Sequence, residues 1–240
     1  MKRVPTTRAR SIGPVVLGSR PRVVAAGGEA ELGALGAATE ADLVELRADL
    51  FDAPSPAALG AALRTLADAA RPVILTVRSA SEGGQAMSES LRASLYADGL
   101  LQADAVDLEI ASEDLVREVV PRARAAGRTV ILAAHDFRAT PSTDALLALV
   151  DRAEALGADV TKLAAHADSL DDVRRLLEVT LAARERGIVT LAMGPAGALS
   201  RVFFGAAGSL LTYASVGRPT GPGQLDLAEL SALVRRFFPR

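Results

Sequence analysis

Lys162 is the residue whose type most calls for a chemical reason. Lys and Arg together number 27 in this chain, and Lys2 and Lys162 are the two lysines, which leaves 25 arginines. Wherever a solvated positive charge suffices, the chain uses a guanidinium. An amine differs in that it can shed its proton and attack a carbonyl carbon to form a Schiff base, which a guanidinium cannot do. The alternative is an ordinary ion-paired lysine. His135 lies one βα repeat upstream, in Ala133-Ala134-His135-Asp136. Its imidazole titrates near neutrality and suits acid and base work beside such an amine. The spacing predicts the two on adjacent strands at the same level, with Lys162 buried among apolar neighbours.

Other ionisable residues recur in similar places. In Glu45-Leu46-Arg47-Ala48-Asp49 the charges alternate with apolar residues, so a strand would turn Glu45 and Arg47 to one face, as an active pair or a structural ion pair. Arg78 is followed by Glu82-Gly83-Gly84, and Asp107 and Glu109 end another apolar run. His166 is read as structural. Met193-Gly194-Pro195-Ala196-Gly197 leads through Ser200-Arg201 into a helix, where Arg201 would offer a fork to a carboxylate or, as the runner-up, a phosphate. Gly217 to Gln224 is a Gly/Pro-rich loop with the character of a lid whose Thr220 and Gln224 meet a ligand on closure.

The elements that must position these side chains follow from periodicity. Eight short runs rich in β-branched residues begin near Pro21, Leu43, Val73, Ala105, Thr129, Asp159, Ile188 and Leu210. Helical stretches separate them, with starts at Ser55-Pro56, Ser112, Ser142 and Ser169, and glycine stops at Gly127, Gly157 and Gly187. This alternation predicts βα units around a parallel sheet, and a repeat of roughly 30 residues predicts a (β/α)8 TIM barrel in one domain spanning 1–240. Ala26-Gly27-Gly28-Glu29 lacks the glycine fingerprint of a dinucleotide-binding open sheet. Thr6 to Leu17 is expected to form an N-terminal β-hairpin, turning at Ser11-Ile12-Gly13-Pro14 and closing the bottom of the barrel. Pro121 is expected to kink or shorten the fourth long helical stretch.

Composition narrows the function classes. Half the chain is hydrophobic and only 3% aromatic, so the core is built from Ala, Val, Leu and Ile. A formal charge of −2 provides no basic field for nucleic acid. With no cysteine there is neither disulfide nor thiolate metal site. The apolar run Pro14 to Leu17 is too short for a signal peptide or a membrane span, so a cytoplasmic protein is expected.

Taken together, Glu45-Leu46-Arg47-Ala48-Asp49, Arg78-Ser79 with Glu82-Gly83-Gly84, His135-Asp136-Phe137, Lys162, Met193-Gly194 with Gly197, Ser200-Arg201 and Pro222-Gly223-Gln224 resemble the type I 3-dehydroquinate dehydratases of the shikimate pathway. The resemblance covers nearly the whole chain in order. It implies a (β/α)8 barrel, commonly a homodimer, without metal or organic cofactor. It also implies a lyase that converts 3-dehydroquinate to 3-dehydroshikimate and water through a Schiff base on Lys162. His135 would be the general acid and base, oriented by Glu82. Arg201 and Gln224 would hold the substrate carboxylate, Glu45, Arg47 and Arg78 the ring hydroxyls, and Met193 and Tyr213 would pack on the ring. Thr220 stands where the family often has serine and Tyr213 where phenylalanine is frequent. The competing readings are a class I aldolase acting on a phosphorylated sugar, and a barrel retained only to bind.

Overall fold

The computed structural model describes residues 10–239. Numbered in chain order, two short strands, β1 (Ser11–Ile12) and β2 (Val15–Val16), form an antiparallel hairpin. Eight parallel strands follow: β3 (Arg22–Gly27), β4 (Leu43–Arg47), β5 (Val73–Thr76), β6 (Ala105–Glu109), β7 (Thr129–Asp136), β8 (Val160–His166), β9 (Ile188–Met193) and β10 (Leu211–Ser215). Helices alternate with them: α1 (Leu32–Ala37), α2 (Pro56–Ala67), α3 (Glu89–Gly99), α4 (Glu113–Ala125), α5 (Thr143–Ala155), α6 (Leu170–Ala183), α7 (Ser200–Ala207) and α8 (Leu227–Phe237).

The strands pair in the order β10, β3, β4, β5, β6, β7, β8, β9, the sequential order of a (β/α)8 barrel. Between β9 and β10 no ladder forms. That seam is joined instead by Leu210 N–H donating to Ile188 O at 2.9 Å and Thr190 N–H donating to Ser209 Oγ at 3.1 Å. Residues of alternating parity separate cleanly. Val24, Leu43, Ile74, Ala105, Ile131 and Val160 pack inside the cylinder, while Val44, Leu46, Leu75, Val106, Leu108 and Leu132 pack outward against helices.

The hairpin covers the N-terminal end of the barrel. Ile12 is fully buried among the interior residues, and Thr129, at the start of β7, donates from its hydroxyl to Ser11 O. The reversal is tighter than expected: Gly13-Pro14 alone makes the turn, Ser11-Ile12 is already strand, and the expected start at Thr6 lies outside the described residues. The Asp before every second strand supplies a device that the sequence reading missed. Asp42, Asp104 and Asp159 accept, each at 2.9 Å, from the backbone N–H of Val23, Val73 and Val130 on the preceding strand, bracing the barrel floor.

Local capping follows composition with two exceptions. Ser55, Ser142 and Ser169 accept from the third residue of their helices, and Ser169 forms a capping box with Asp172. Ser112 begins α4 without a side-chain cap, because its hydroxyl turns to Glu109 instead. Nor does Pro121 stop α4, which runs on to Ala125 with Leu115, Val116, Val119, Val120 and Ala123 buried against the barrel, while Pro121 itself is exposed. Packing of that apolar face overrides the lost backbone donor.

Candidate active site

The C-terminal ends of the strands surround a small cavity. It is lined by Glu45, Arg47, Arg78, Glu82, His135, Lys162, Met193, Arg201, Tyr213, Thr220 and Gln224, the eleven residues expected from the sequence to catalyse or to meet a ligand, while Asp107 and Glu109 do not line it. A larger and more open hollow lies near the N-terminal ends, beside Arg10, Gly18, Arg184 and Leu210, but it gathers no histidine, no lysine and no carboxylate pair.

Lys162 projects from β8 into the barrel and is 4% exposed. Its surroundings differ from the apolar ones expected. Nζ donates to Asp107 Oδ2 at 2.8 Å and, at longer range, to Glu45 Oε1 at 3.5 Å, and it sits 4.1 Å from the centroid of the Tyr213 ring. A buried ammonium needs such partners, and Asp107, one inward position before Glu109 on β6, was legible as an inward carboxylate without being assigned to the lysine. Burial works to raise the Asp107 pKa, but Arg78 and Lys162 together hold it below the usual carboxylate range.

His135 and Lys162 are not level. Lys162 pairs with Ala133 and His135 with Ala164, so the histidine stands two residues further toward the mouth, about 6.6 Å along the strand. Counting residues between them could not reveal this, because pairing register rather than spacing sets height. The long lysine side chain restores the proximity, and both reach the same cavity.

Glu82 Oε2 accepts from both the backbone N–H and Nδ1 of His135, each at 2.9 Å. This assigns the imidazole proton to Nδ1 and leaves the lone pair on Nε2. Burial, with Arg78, Lys162 and Arg47 nearby, pushes the His135 pKa well below its ordinary value. Glu82 moves oppositely: burial raises it to about 7, against the pull of Arg78. Near neutrality the imidazole is therefore uncharged, while the carboxyl is poised between its charged and protonated forms. Two glycines make the contact possible. A Cβ on Gly83, which has φ of +86°, would lie 2.6 Å from the Phe137 ring, and one on Gly84 would lie 2.1 Å from Arg78 O.

The arginines divide into paired and unpaired. Arg47 lies on the same face as Glu45 but forms its ion pair with Asp49, at 2.8 and 2.7 Å, while Glu45 accepts from Thr76 Oγ1 at 2.8 Å. Arg78 is spent on Asp107 at 2.9 Å and Glu109 at 3.1 Å. Behind Glu109 stands Arg92 of α3, which bonds that carboxylate and donates twice to Val77 O. Arg92 is a fully buried side chain that gave no signal in a chain with so many arginines.

Arg201 is different. It is 4% exposed, donates to the carbonyls of Pro222, Gly223 and Tyr213, and faces no carboxylate among the described residues. Burial alone lowers its pKa to about 10. Ser200 anchors this turn, accepting from Ala192 N–H at 3.0 Å. The Gly/Pro-rich loop closes over Arg201, with Thr220 donating from N–H and hydroxyl to Gln224 Oε1, which leaves the Gln224 amide N–H groups for a ligand. His166 is engaged outside the cavity, with Asp168 and, through its carbonyl, Thr140.

A sequence model described as Type I 3-dehydroquinase matches residues 25–238. The chain belongs to the type I 3-dehydroquinase family. It is thus an enzyme of the 3-dehydroquinate dehydratase type, a lyase. The 3-dehydroquinate dehydratase of Methanococcoides burtonii is 36% identical over 224 residues, covering 91% of this chain and 95% of its own. That of Klebsiella pneumoniae is 36% identical over 203 residues, 79% of this chain and 80% of its own. Among solved structures, the Geobacillus kaustophilus 3-dehydroquinate dehydratase superposes with a TM-score of 0.86 at 27% identity, over 97% of this chain and 98% of that one. The Clostridium difficile type I enzyme, solved with covalently modified comenic acid, gives 0.85 at 25% identity over 96% and 98%.

Proposed function

We propose that this enzyme dehydrates 3-dehydroquinate through an imine on Lys162. The observation that carries the reading is one cavity holding a buried amine, a neutral imidazole with a free lone pair, and a guanidinium lacking any carboxylate. Family membership supports the substrate. The covalently modified ligand in the Clostridium difficile relative accords with covalent chemistry in this fold.

Arg201 and a Gln224 amide N–H receive the substrate carboxylate, which supplies the anion that the buried guanidinium lacks. Glu45 and the unspent Arg47 Nη1 meet ring hydroxyls, and Met193 and Tyr213 flank the ring. Arg78, with its fork occupied, orients Asp107 and Glu109. His135 Nε2 first takes a proton from the Lys162 ammonium, the free amine adds to the ketone carbon, a proton passes from the added nitrogen to the oxygen, and the imidazolium returns its proton to that hydroxyl, which leaves as water to give an iminium. His135 Nε2 then removes a proton from the neighbouring carbon, and the C–H electrons flow into the iminium, which stores them as an enamine. Those electrons return to expel the hydroxyl on the next carbon, which departs as water with the proton carried by His135. Hydrolysis of the remaining imine frees the enone and Lys162.

Borohydride reduction in the presence of 3-dehydroquinate tests this. A stable mass increase on the peptide containing Lys162 is expected, and its absence from active protein rules out the imine. Lys162→Arg should fold normally and show no turnover. We also propose a homodimer in the cytoplasm, checked by sedimentation. Among the described residues no helix is long and apolar enough to cross a membrane.

A further inference from the structure

We propose that Asp107 is a catalytic counter-ion that keeps the nitrogen of the Lys162 imine protonated through the reaction. This inference rests on the imine reading and gives a chemical role to a carboxylate that does not line the cavity. Asp107 is fully buried, and its Oδ2 accepts from Lys162 Nζ at 2.8 Å. Strand pairing fixes the side from which it approaches. Asp107 pairs with Ile131 and Ile131 with Val160, so Asp107 stands two residues below Lys162 and four below His135, toward the closed floor. Lys162 lines the cavity and Asp107 does not, so the amine meets substrate on one side and this carboxylate on the other.

An iminium nitrogen is planar, with Cε, the substrate carbon and a single hydrogen as its three substituents. Of the three ammonium protons, one has gone to His135 and one to the departing oxygen. The carbon enters from the cavity, so the remaining N–H keeps the direction of Asp107. A neutral imine draws electrons from a neighbouring C–H bond far less readily than an iminium does, and an imine nitrogen holds its proton less firmly than an amine. A carboxylate within hydrogen-bonding reach favours the charged form. Burial works to raise the Asp107 pKa, yet Arg78 and Lys162 hold it below the usual carboxylate range, so the group stays ionised for this task. No neighbour takes its place. Glu45 is 3.5 Å from Nζ and engaged by Thr76, Glu109 is held by Arg78 and Arg92, and Tyr213 presents the face of its ring. His135 is uncharged, while Arg47 and Arg78 are cations that work against a positive nitrogen. Arg78, 2.9 Å from the other Asp107 oxygen, shares the carboxylate and tempers its pull, so the iminium still accepts the C–H electrons. When the enamine expels the hydroxyl, the same carboxylate favours the returning iminium.

Asp107→Asn keeps the shape and an accepting oxygen while removing the charge. The probe is the imine formed with 3-dehydroshikimate, whose protonated conjugated form absorbs at longer wavelength than the neutral form. Two tyrosines and no tryptophan leave that part of the spectrum nearly clear. Spectra would be taken from about pH 6 to about pH 9, with borohydride capture at each pH to count the adduct on Lys162. In the wild type the long-wavelength band should persist for as long as adduct is captured. In Asp107→Asn it should be lost above about pH 7 while adduct is still captured, and kcat should fall about a hundredfold, the scale of one electrostatic stabiliser removed from a closed site. A band in Asp107→Asn as persistent as that of the wild type would overturn the assignment. So would loss of the wild-type band within this range while adduct is still captured, a result that needs no variant to fold. No adduct in the wild type at any pH would instead remove the imine reading and this inference with it.

Discussion

The contact between Glu82 and His135 makes the site's pH response readable at the level of single residues. Glu82 is raised from an ordinary carboxylate value to about 7, so the folded protein binds its proton more tightly than the unfolded chain does. The stability this contributes is full below about pH 4.5 and is lost as pH rises through 7, on the order of 3 kcal/mol in all. His135 is depressed, so its contribution is present above the ordinary imidazole pKa and is lost as pH falls below it. Glu82→Gln should therefore gain stability relative to wild type between pH 5 and pH 8. Urea unfolding at both pH values checks this, and an unchanged difference would refute it. The same substitution should lower turnover and flatten its acid limb near pH 7, because an amide oxygen accepts from Nδ1–H more weakly than a carboxylate and does not titrate.

At the level of elements, the loop after β10 and the turn before α7 act as one unit. The Arg201 guanidinium is the pin between them, bonding Pro222 O and Gly223 O while offering its charge to the cavity. A lysine ammonium cannot serve both tasks. Arg201→Lys should raise KM for 3-dehydroquinate tenfold to a hundredfold with kcat within a few-fold, measured at steady state, and an unchanged KM would separate loop from substrate. The strands themselves were legible, because period-two alternation in Glu45-Leu46-Arg47 and β-branched runs such as Val73-Ile74-Leu75-Thr76 announce both element and facing. Their relative heights were not. His135 stands above Lys162 because of pairing register, which residue counting does not encode, and Arg47 takes Asp49 rather than Glu45 because both groups turn at the strand end. The triplet Ala-Asp-apolar at Asp42, Asp104 and Asp159 was visible in the sequence, but its meaning lies in a neighbouring strand's backbone.

Over the whole molecule, chemistry and closure occupy opposite ends. The floor is hydrophobic and plugged by Ile12, and the polar residues crowd the other rim. Ile12→Ala should therefore cost about 2–4 kcal/mol of stability by thermal or urea unfolding, yet leave kcat/KM unchanged below the transition. Loss of turnover in a folded variant would show that the two ends communicate. The seam between β9 and β10 has a further consequence. Met193 lies on one of its banks and Tyr213 on the other, with Arg201 on the connection between them and the lid springing from the second bank. A cylinder laced on every side but one can widen at the gap without unpicking a ladder, so admission of a ring-sized guest needs no rearrangement of the wall that carries Lys162 and His135. Amide deuteration should then proceed faster along that slit than anywhere else on the staves.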